Sequence, residues 1–232
     1  MSLYAIGDLH LAKDPSIQKP MDVFGAAWEN HESKLEEYWR TLVKEEDTVI
    51  VAGDISWALK MDEALADLAF LHSLPGTKVC IKGNHDLWWH GITKMNEMYQ
   101  DIVFLQGMTY ETPTCFICGS RGWVCPGSDD FSLQDEKIYK RELLRVRASL
   151  EAAKGQNTGK DIIGVLHYPP TNDKHQPSGF TQLFEEYGVR EVVYGHLHGE
   201  EVFKNGLQGN LNGIIYRLVS LDKLDATPLR IR

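Results

Sequence analysis

Five short runs of apolar, mostly β-branched residues punctuate the chain, and each gives way within three residues to a polar, metal-capable side chain. Leu3 to Ile6 leads into Gly7-Asp8, Thr48 to Val51 into Gly53-Asp54, and Lys78 to Ile81 into Gly83-Asn84-His85-Asp86. Ile162 to Leu166 leads into His167, and Glu191 to Tyr194 into Gly195-His196-Leu197-His198. Runs of this length and branching predict buried strands. Between them the apolar positions shift to a helical period. Leu35, Tyr38, Trp39 and Leu42 form one stripe, and Ala64, Leu65, Leu68 and Leu71 a second. Tyr139, Leu143, Val146 and Leu150 form a third, and Phe180, Leu183, Phe184 and Tyr187 a fourth. Stripes of this kind serve core packing.

Ile102 to Leu105, Thr114 to Cys118 and Gly213 to Val219 predict further strands, with Glu111-Thr112-Pro113 as a turn. The second of these runs on toward Arg121-Gly122-Trp123-Val124. No repeat and no long linker interrupts the pattern. Alternating strands and helices predict one α/β domain over residues 1–232, built as two stacked sheets flanked by helices.

A chain of 232 residues, 43% hydrophobic and 25% charged, buries a full core without staples. That composition excludes a disordered tail and a low-complexity linker. The net charge of −9 lacks the basic stripe of a nucleic-acid binder. A nucleotide substrate stays open, because bound cations reverse the local sign. The first residues have no positive leader, and no apolar stretch approaches the ~18 residues of a membrane span. Cys80, Cys115, Cys118 and Cys125 are too few for a disulfide scaffold, which predicts reduced thiols in the cytoplasm. Cys115 and Cys118 lie three apart in a predicted strand, so they point to opposite faces and read as buried thiols rather than a zinc knuckle.

The strand-end residues carry the chemistry. They are Asp8, His10, Asp54, Asn84, His85, His167, His196 and His198, and they include five of the nine histidines. The carboxyl ends of strands are where α/β sheets place their ligands. Mixed carboxylate, amide and imidazole donors suit Mn, Fe or Zn. A calcium site would use oxygens almost alone, and a structural zinc site would use cysteines. Seven candidate ligands (Asp8, His10, Asp54, Asn84, His167, His196 and His198) exceed the needs of one ion and match two. Ion pairs of that kind sit ~3.5–4 Å apart and clamp a phosphoryl group for attack by an activated water.

These motifs, in this order from residue 8 to residue 198, resemble the calcineurin-like metallophosphoesterase superfamily, in its smaller bacterial-type members. The resemblance implies a four-layer α/β/β/α sandwich of two mixed sheets. It implies that Asp8, His10 and His198 hold one metal ion, that Asn84, His167 and His196 complete a second, and that Asp54 bridges them. It also implies a metal-bridging hydroxide as the nucleophile. His85 would stabilise the transition state or protonate the leaving oxygen, oriented by a hydrogen bond that it donates to Asp86. The second motif reads Gly53-Asp54-Ile55-Ser56-Trp57, and Asp86 follows His85. Both depart from the eukaryotic-type Ser/Thr phosphatases, which disfavours a phosphoprotein substrate. The chain ends soon after the last motif, so the capping domain of the superfamily's DNA-repair exonucleases is not expected.

Two long segments, Ala12 to Trp28 and Tyr168 to Gly179, start directly after a candidate ligand and are expected to border the cleft and set substrate choice. Lys13, Arg121 and Lys174 are candidates to touch a substrate phosphate, although solvated surface charge is the ordinary role of such residues. Trp88 is a candidate to stack on a substrate ring, with core packing as the plainer alternative. His31 and His72 are expected on helix surfaces. His90 and His175 lie near the motifs without matching them. The leading expectation is a dinuclear phosphomonoesterase or phosphodiesterase. The alternatives are a nucleotide-directed phosphodiesterase or pyrophosphohydrolase, and a non-catalytic scaffold of the same fold. No segment of the sequence supplies the exposed apolar face that a lipid-linked pyrophosphatase needs.

Overall fold

The computed structural model describes residues 1–156 and 158–232. Its first half runs through β1 (Leu3–Ile6), α1 (His31–Leu42), β2 (Thr48–Val51), α2 (Met61–Ser73), β3 (Thr77–Ile81), the single turn α3 (Ile92–Met95) and β4 (Ile102–Leu105). The second half holds β5 (Thr109–Glu111), β6 (Cys115–Gly119), α4 (Leu133–Gly155), β7 (Asp161–Val165) and α5 (Gly179–Tyr187). After these come β8 (Glu191–Tyr194), the short α6 (Glu200–Phe203), β9 (Gly209–Leu211), β10 (Ile214–Leu218) and β11 (Leu229–Arg230).

Local chemistry explains the helix ends. At the start of α4 the Ser132 hydroxyl accepts from the Asp135 backbone N–H at 3.2 Å, and the Asp135 carboxylate accepts from the Ser132 N–H at 3.0 Å. This reciprocal cap satisfies amides that have no partner inside the helix. At the start of α5 the Ser178 hydroxyl accepts from the Phe180 and Thr181 amides. That helix stops at Gly188, whose φ of 67° is a left-handed setting that glycine adopts without penalty.

The strands form two mixed sheets. The first has the order β11-β1-β2-β3-β4, parallel except for β11. The second has the order β5-β6-β7-β8-β10-β9, with only β5 and β9 antiparallel to their neighbours. Side chains of a strand alternate between faces, and that alternation sorts the interior into three apolar layers. Tyr4, Ile6, Val49 and Val51 pack with Leu35 and Trp39 of α1 and Leu68 and Leu71 of α2. Leu3, Ala5, Ile50 and Val79 meet Ile117, Ile163, Val165 and Val193 between the sheets. Phe116, Ile162 and Val192 pack with Val146 and Leu150 of α4 and Phe180 and Phe184 of α5. The result is the α/β/β/α sandwich of two mixed sheets that the sequence leads one to expect.

Cys115 lies in the layer between the sheets and Cys118 in the layer under α4, so the two thiols do face opposite sides of their strand. All four cysteines are buried and free. Differences from the sequence pattern fall in the loops. Arg121 to Val124 continues no strand. Residues 12–28 contain two short 3-10 turns, Met21–Phe24 and Ala26–Trp28, which no period announces. His31 is buried rather than on a helix surface, because the start of α1 abuts Trp28, whose ring lies 5.4 Å from the imidazole. No helix among the described residues is long and apolar enough to cross a membrane.

Ile50 has no exposed surface and lies in the layer between the sheets. Ile50→Ala is expected to lower unfolding free energy by about 2–5 kcal/mol in a urea titration. A loss below about 1 kcal/mol would show that this layer is not close-packed.

Candidate metal centre

The carboxyl ends of both sheets open at one edge of the sandwich. Asp8 and His10 follow β1, Asp54 follows β2, and Asn84 to Asp86 follow β3. His167 follows β7, and His196 and His198 follow β8. The first loops are laced together by main-chain bonds. The Asp8 N–H donates to the Gly53 carbonyl at 2.8 Å, and the His10 N–H to the Asp54 carbonyl at 3.0 Å.

The backbone is strained where the donors are presented. Asp8, His10, Asp54 and His196 have φ of 58°, 47°, 51° and 75°. Side-chain residues rarely adopt this region, and such strain gathers at functional sites. The glycines beside these residues make space for them. A Cβ on Gly53 would lie 2.6 Å from His167 Nδ1, and Cβ atoms on Gly83 and Gly195 would collide with the Asp54 and Asp8 carboxylates.

All seven sequence-predicted ligands come together. His10 Nε2 lies 3.4 Å from His198 Nε2, and His198 Nε2 lies 3.7 Å from an Asp8 oxygen. Asp54 Oδ2 stands between His10 Nε2 at 3.9 Å and His167 Nε2 at 3.4 Å. The Asn84 side-chain oxygen lies 2.8 Å from His167 Nε2 and 2.9 Å from His196 Nδ1. Asp8, His10 and His198 offer atoms within 4.8 Å of one another, and so do Asp8, Asp54 and His167. Asp8 therefore takes part in both groups.

Outer partners aim these rings. Asp222 accepts from His198 Nδ1 at 3.0 Å and from the Gly199 N–H at 2.9 Å. The Ala52 carbonyl takes His167 Nδ1 at 2.9 Å. When these rings are neutral, each bond leaves the other ring nitrogen, Nε2, with a lone pair directed into the cluster. The His196 N–H donates to both Asp8 oxygens, each at 3.0 Å. Lone pairs on facing imidazoles repel unless a proton or a cation lies between them. The mixture of nitrogen and oxygen donors, without a thiolate, fits borderline divalent ions.

Electrostatics carry the mark of this crowding. Burial raises the Asp8 carboxyl to about 6, with the charges of His167 and His198 opposing it. Burial would also raise Asp54, but His167 and His10 outweigh it and hold that carboxyl well below its usual range. Burial depresses His10 and His196 to about 3 each. Burial opposes the charge on His167 too, yet the Asp54 and Asp8 carboxylates carry it up to about 9.

His85 sits at the mouth of the cleft, exposed, with its ring 4.4 Å from Trp57 and 5.7 Å from His10. The expected bond from His85 to Asp86 is not made. Asp86 is fully buried, and its oxygens accept from the amides of Gly83 at 2.7 Å, Ile55 at 2.9 Å and Ser56 at 3.2 Å, and from Trp88 Nε1 at 3.1 Å. It ties the Asp54 loop to the Asn84 loop. Burial and the nearby Asp54 raise its carboxyl, against the pull of those amides.

The candidates for substrate contact lie elsewhere. Trp88 has no exposed surface and packs in the core with Phe104. Lys13 is paired with Glu32 at 2.7 Å and lies over the Phe70 ring. Arg121 stacks on Trp123 and faces Glu142. Lys174 reaches Asp129 at 3.1 Å. None of the four lines the cavity at the cluster, whose far wall is Met21 to Trp28 together with Trp57. The segment 12–28 therefore does border the cleft. Tyr168, Pro169 and Asn172 of the second segment line a neighbouring depression that shares His196. The exposed apolar surface missing from the sequence pattern is present, with Val23 at 70% and Phe24 at 68% exposure. A signal for Asp222 was present in the sequence, since it follows the predicted strand Gly213 to Val219 as the clustered donors follow theirs. Trp57 could be told from a core tryptophan only in three dimensions.

Residues 1–200 match the family of calcineurin-like phosphoesterases, and the chain belongs to that family. It is similar to the Gene 66 protein of Mycobacterium phage L5, 25% identical over 170 residues that make up 73% of this chain. The match spans 65% of the phage protein's length. In fold it is similar to the phosphopantetheinyl hydrolase of Mycobacterium tuberculosis, with a TM-score of 0.53, 17% identity and coverage of 94% of this chain and 88% of that one. A protein of unknown function from Aquifex aeolicus gives a TM-score of 0.49 at 15% identity, over 99% of this chain and 95% of that one.

Asp222→Ala is expected to weaken Mn²⁺ binding about 10–100-fold in a calorimetric titration, because His198 loses the partner that fixes its ring. An unchanged affinity would mean that the ring is held by packing alone. Metal binding must also displace protons, since His167 is raised to about 9 and Asp8 to about 6 in the metal-free protein. Affinity is therefore expected to rise from pH 6 toward pH 9, with proton release seen as a dependence of the binding heat on buffer ionisation. No release at pH 7 would contradict the protonated state of His167.

Proposed function

We propose that the chain hydrolyses small phosphoesters, phosphomonoesters or phosphodiesters, at two divalent cations of the Mn, Fe or Zn type. The observation that supports this most is the convergence of seven nitrogen and oxygen donors from five strand ends into one half-open cleft. Asp8, His10 and His198 would hold one ion, and Asn84, His167 and His196 the other, with Asp54 between them. When bound, such a pair supplies the charge that clamps phosphoryl oxygens and lowers the pKa of an attacking water.

The chain's own residues do the rest. Asp86 joins two ligand loops by four hydrogen bonds and so sets the spacing of Asp54 and Asn84. Asp222 and the Ala52 carbonyl fix the tautomers of His198 and His167. His85 is the most exposed imidazole of the cluster and is free to swing a proton to the leaving oxygen. Burial lowers its pKa below the ordinary imidazole value, so the resting ring is neutral and takes up a proton before it passes one to the leaving oxygen. The full donor set argues against a non-catalytic scaffold. Among the described residues no lysine or arginine lines the cavity, which argues against a nucleotide polyphosphate. The four free, buried thiols support a reducing, cytoplasmic setting.

Hydrolysis of p-nitrophenyl phosphate and bis-p-nitrophenyl phosphate in Mn²⁺ buffer tests the reading. Asp54→Asn is expected to lose both metal and turnover. His85→Ala is expected to keep its metal and lose about 10²–10⁴-fold in kcat. Metal loss in His85→Ala would make that residue a ligand, and turnover in Asp54→Asn equal to wild type would remove the proposed centre.

A further inference from the structure

The cavity over the donor cluster holds about 600 Å³, enough for a small organic molecule. Its two walls differ sharply in chemistry. One is His10, Asp54, His85, His196 and His198. The other is Met21, Phe24, Ala26, Ala27, Trp28 and Trp57, a surface of methyl, thioether and aromatic groups. Its side chains offer only two polar groups, the indole N–H groups of Trp28 and Trp57, and that of Trp57 is already directed to Met21 Sδ at 3.1 Å. Among the described residues, the one ionisable residue lining the cavity outside the donor wall is Asp222, which is acidic and already engaged with His198 and Gly199. Lys19 is close by, yet its ammonium rests over the Trp57 ring at 5.4 Å and does not line the cavity.

The mouth carries a second sign. Val23 and Phe24 leave most of their surface in water, at 70% and 68% exposure, on a 3-10 turn that ends at Gly25. Gly25 has a φ of 114°, and a Cβ there would meet nothing within 4 Å. Large apolar side chains held at the rim of an otherwise charged site gain burial when an apolar group enters.

We infer that the organic group of the substrate is uncharged and apolar, an alkyl or aryl phosphoester whose hydrocarbon lies against Met21, Phe24, Trp28 and Trp57. This rests on the phosphoesterase reading above and narrows it. The phosphoryl group would face the donor wall, and His85 stands at the seam between the two walls, 4.4 Å from the Trp57 ring. The apolar group is therefore the leaving alcohol or phenol. The ester P–O bond breaks as the oxygen of water joins phosphorus, and the proton that the water gives up passes by way of His85 to the departing oxygen. Nucleoside polyphosphates are selected against, because away from the donor wall their extra charge would meet Asp222 and, among the described residues, no lysine or arginine of the lining.

The test measures binding of non-hydrolysable phosphonates to the Mn²⁺-loaded protein by calorimetry, alongside turnover of the two nitrophenyl esters. Phenylphosphonate is expected to bind at least about 10-fold tighter than methylphosphonate, the scale set by one or two buried methylenes in an apolar pocket. In Phe24→Ser, a change at an exposed position that leaves the core intact, that ratio is expected to fall toward one. The same fall in Trp57→Leu would extend the wall across the cavity. Equal binding of the two phosphonates, or tighter binding of a nucleoside triphosphate than of phenylphosphonate, overturns the inference while turnover of a nitrophenyl ester leaves the phosphoesterase reading standing. Failure to bind any phosphonate together with failure to hydrolyse either ester overturns both.

Discussion

Two buried carboxylates and four imidazoles face one another at the carboxyl edge of the sandwich, and their mutual repulsion and desolvation set the terms for everything around them. Removing even one such charge from water is costly unless it is paired and hydrogen-bonded. Here the framework absorbs the cost. Backbone amides of His196 and His85 donate to Asp8 and Asp54, and the chain accepts left-handed backbone at four donor residues. Three packed apolar layers behind the site keep those strand ends from relaxing apart.

The same constraint explains the division of labour between the two acidic neighbours. Asp54 is held ionised by the imidazoles it faces and is open to a cation. Asp86, only two residues beyond Asn84, is turned inward and spends its oxygens on three amides and an indole. One carboxylate is presented to the donor cluster and the other serves the geometry of the loops that deliver it. Asp222 repeats the second role from the opposite sheet, so each side of the cleft has its own carboxylate brace.

Much of this was legible in the residues. The strands β1, β2, β3, β7 and β8 are short, branched and bounded by polar turns, and parallel strands buried on both faces must read that way. The donors could be found because each sits at the same point of the same local pattern. What was not legible depends on direction rather than on residue type. A carboxylate beside a histidine in sequence need not face it, and in Asp86 the turn after β3 points the side chain to the core. Trp88 follows the same turn inward, whereas Trp57, on the Asp54 loop, is turned out to the cleft. The wall from Met21 to Trp28 has no periodicity because its 3-10 turns are too short to show one. Lys13, Arg121 and Lys174 looked free in sequence and are each engaged elsewhere in space.

The account stands on the claim that the seven donors form a paired cation site. The most direct measurement is the metal content of the protein after loading with Mn²⁺ and removal of free metal, read by elemental analysis against protein concentration. The account predicts two ions per chain in the wild type. A stoichiometry of zero, or two ions retained when Asp8 and Asp54 are both replaced by asparagine, would contradict it.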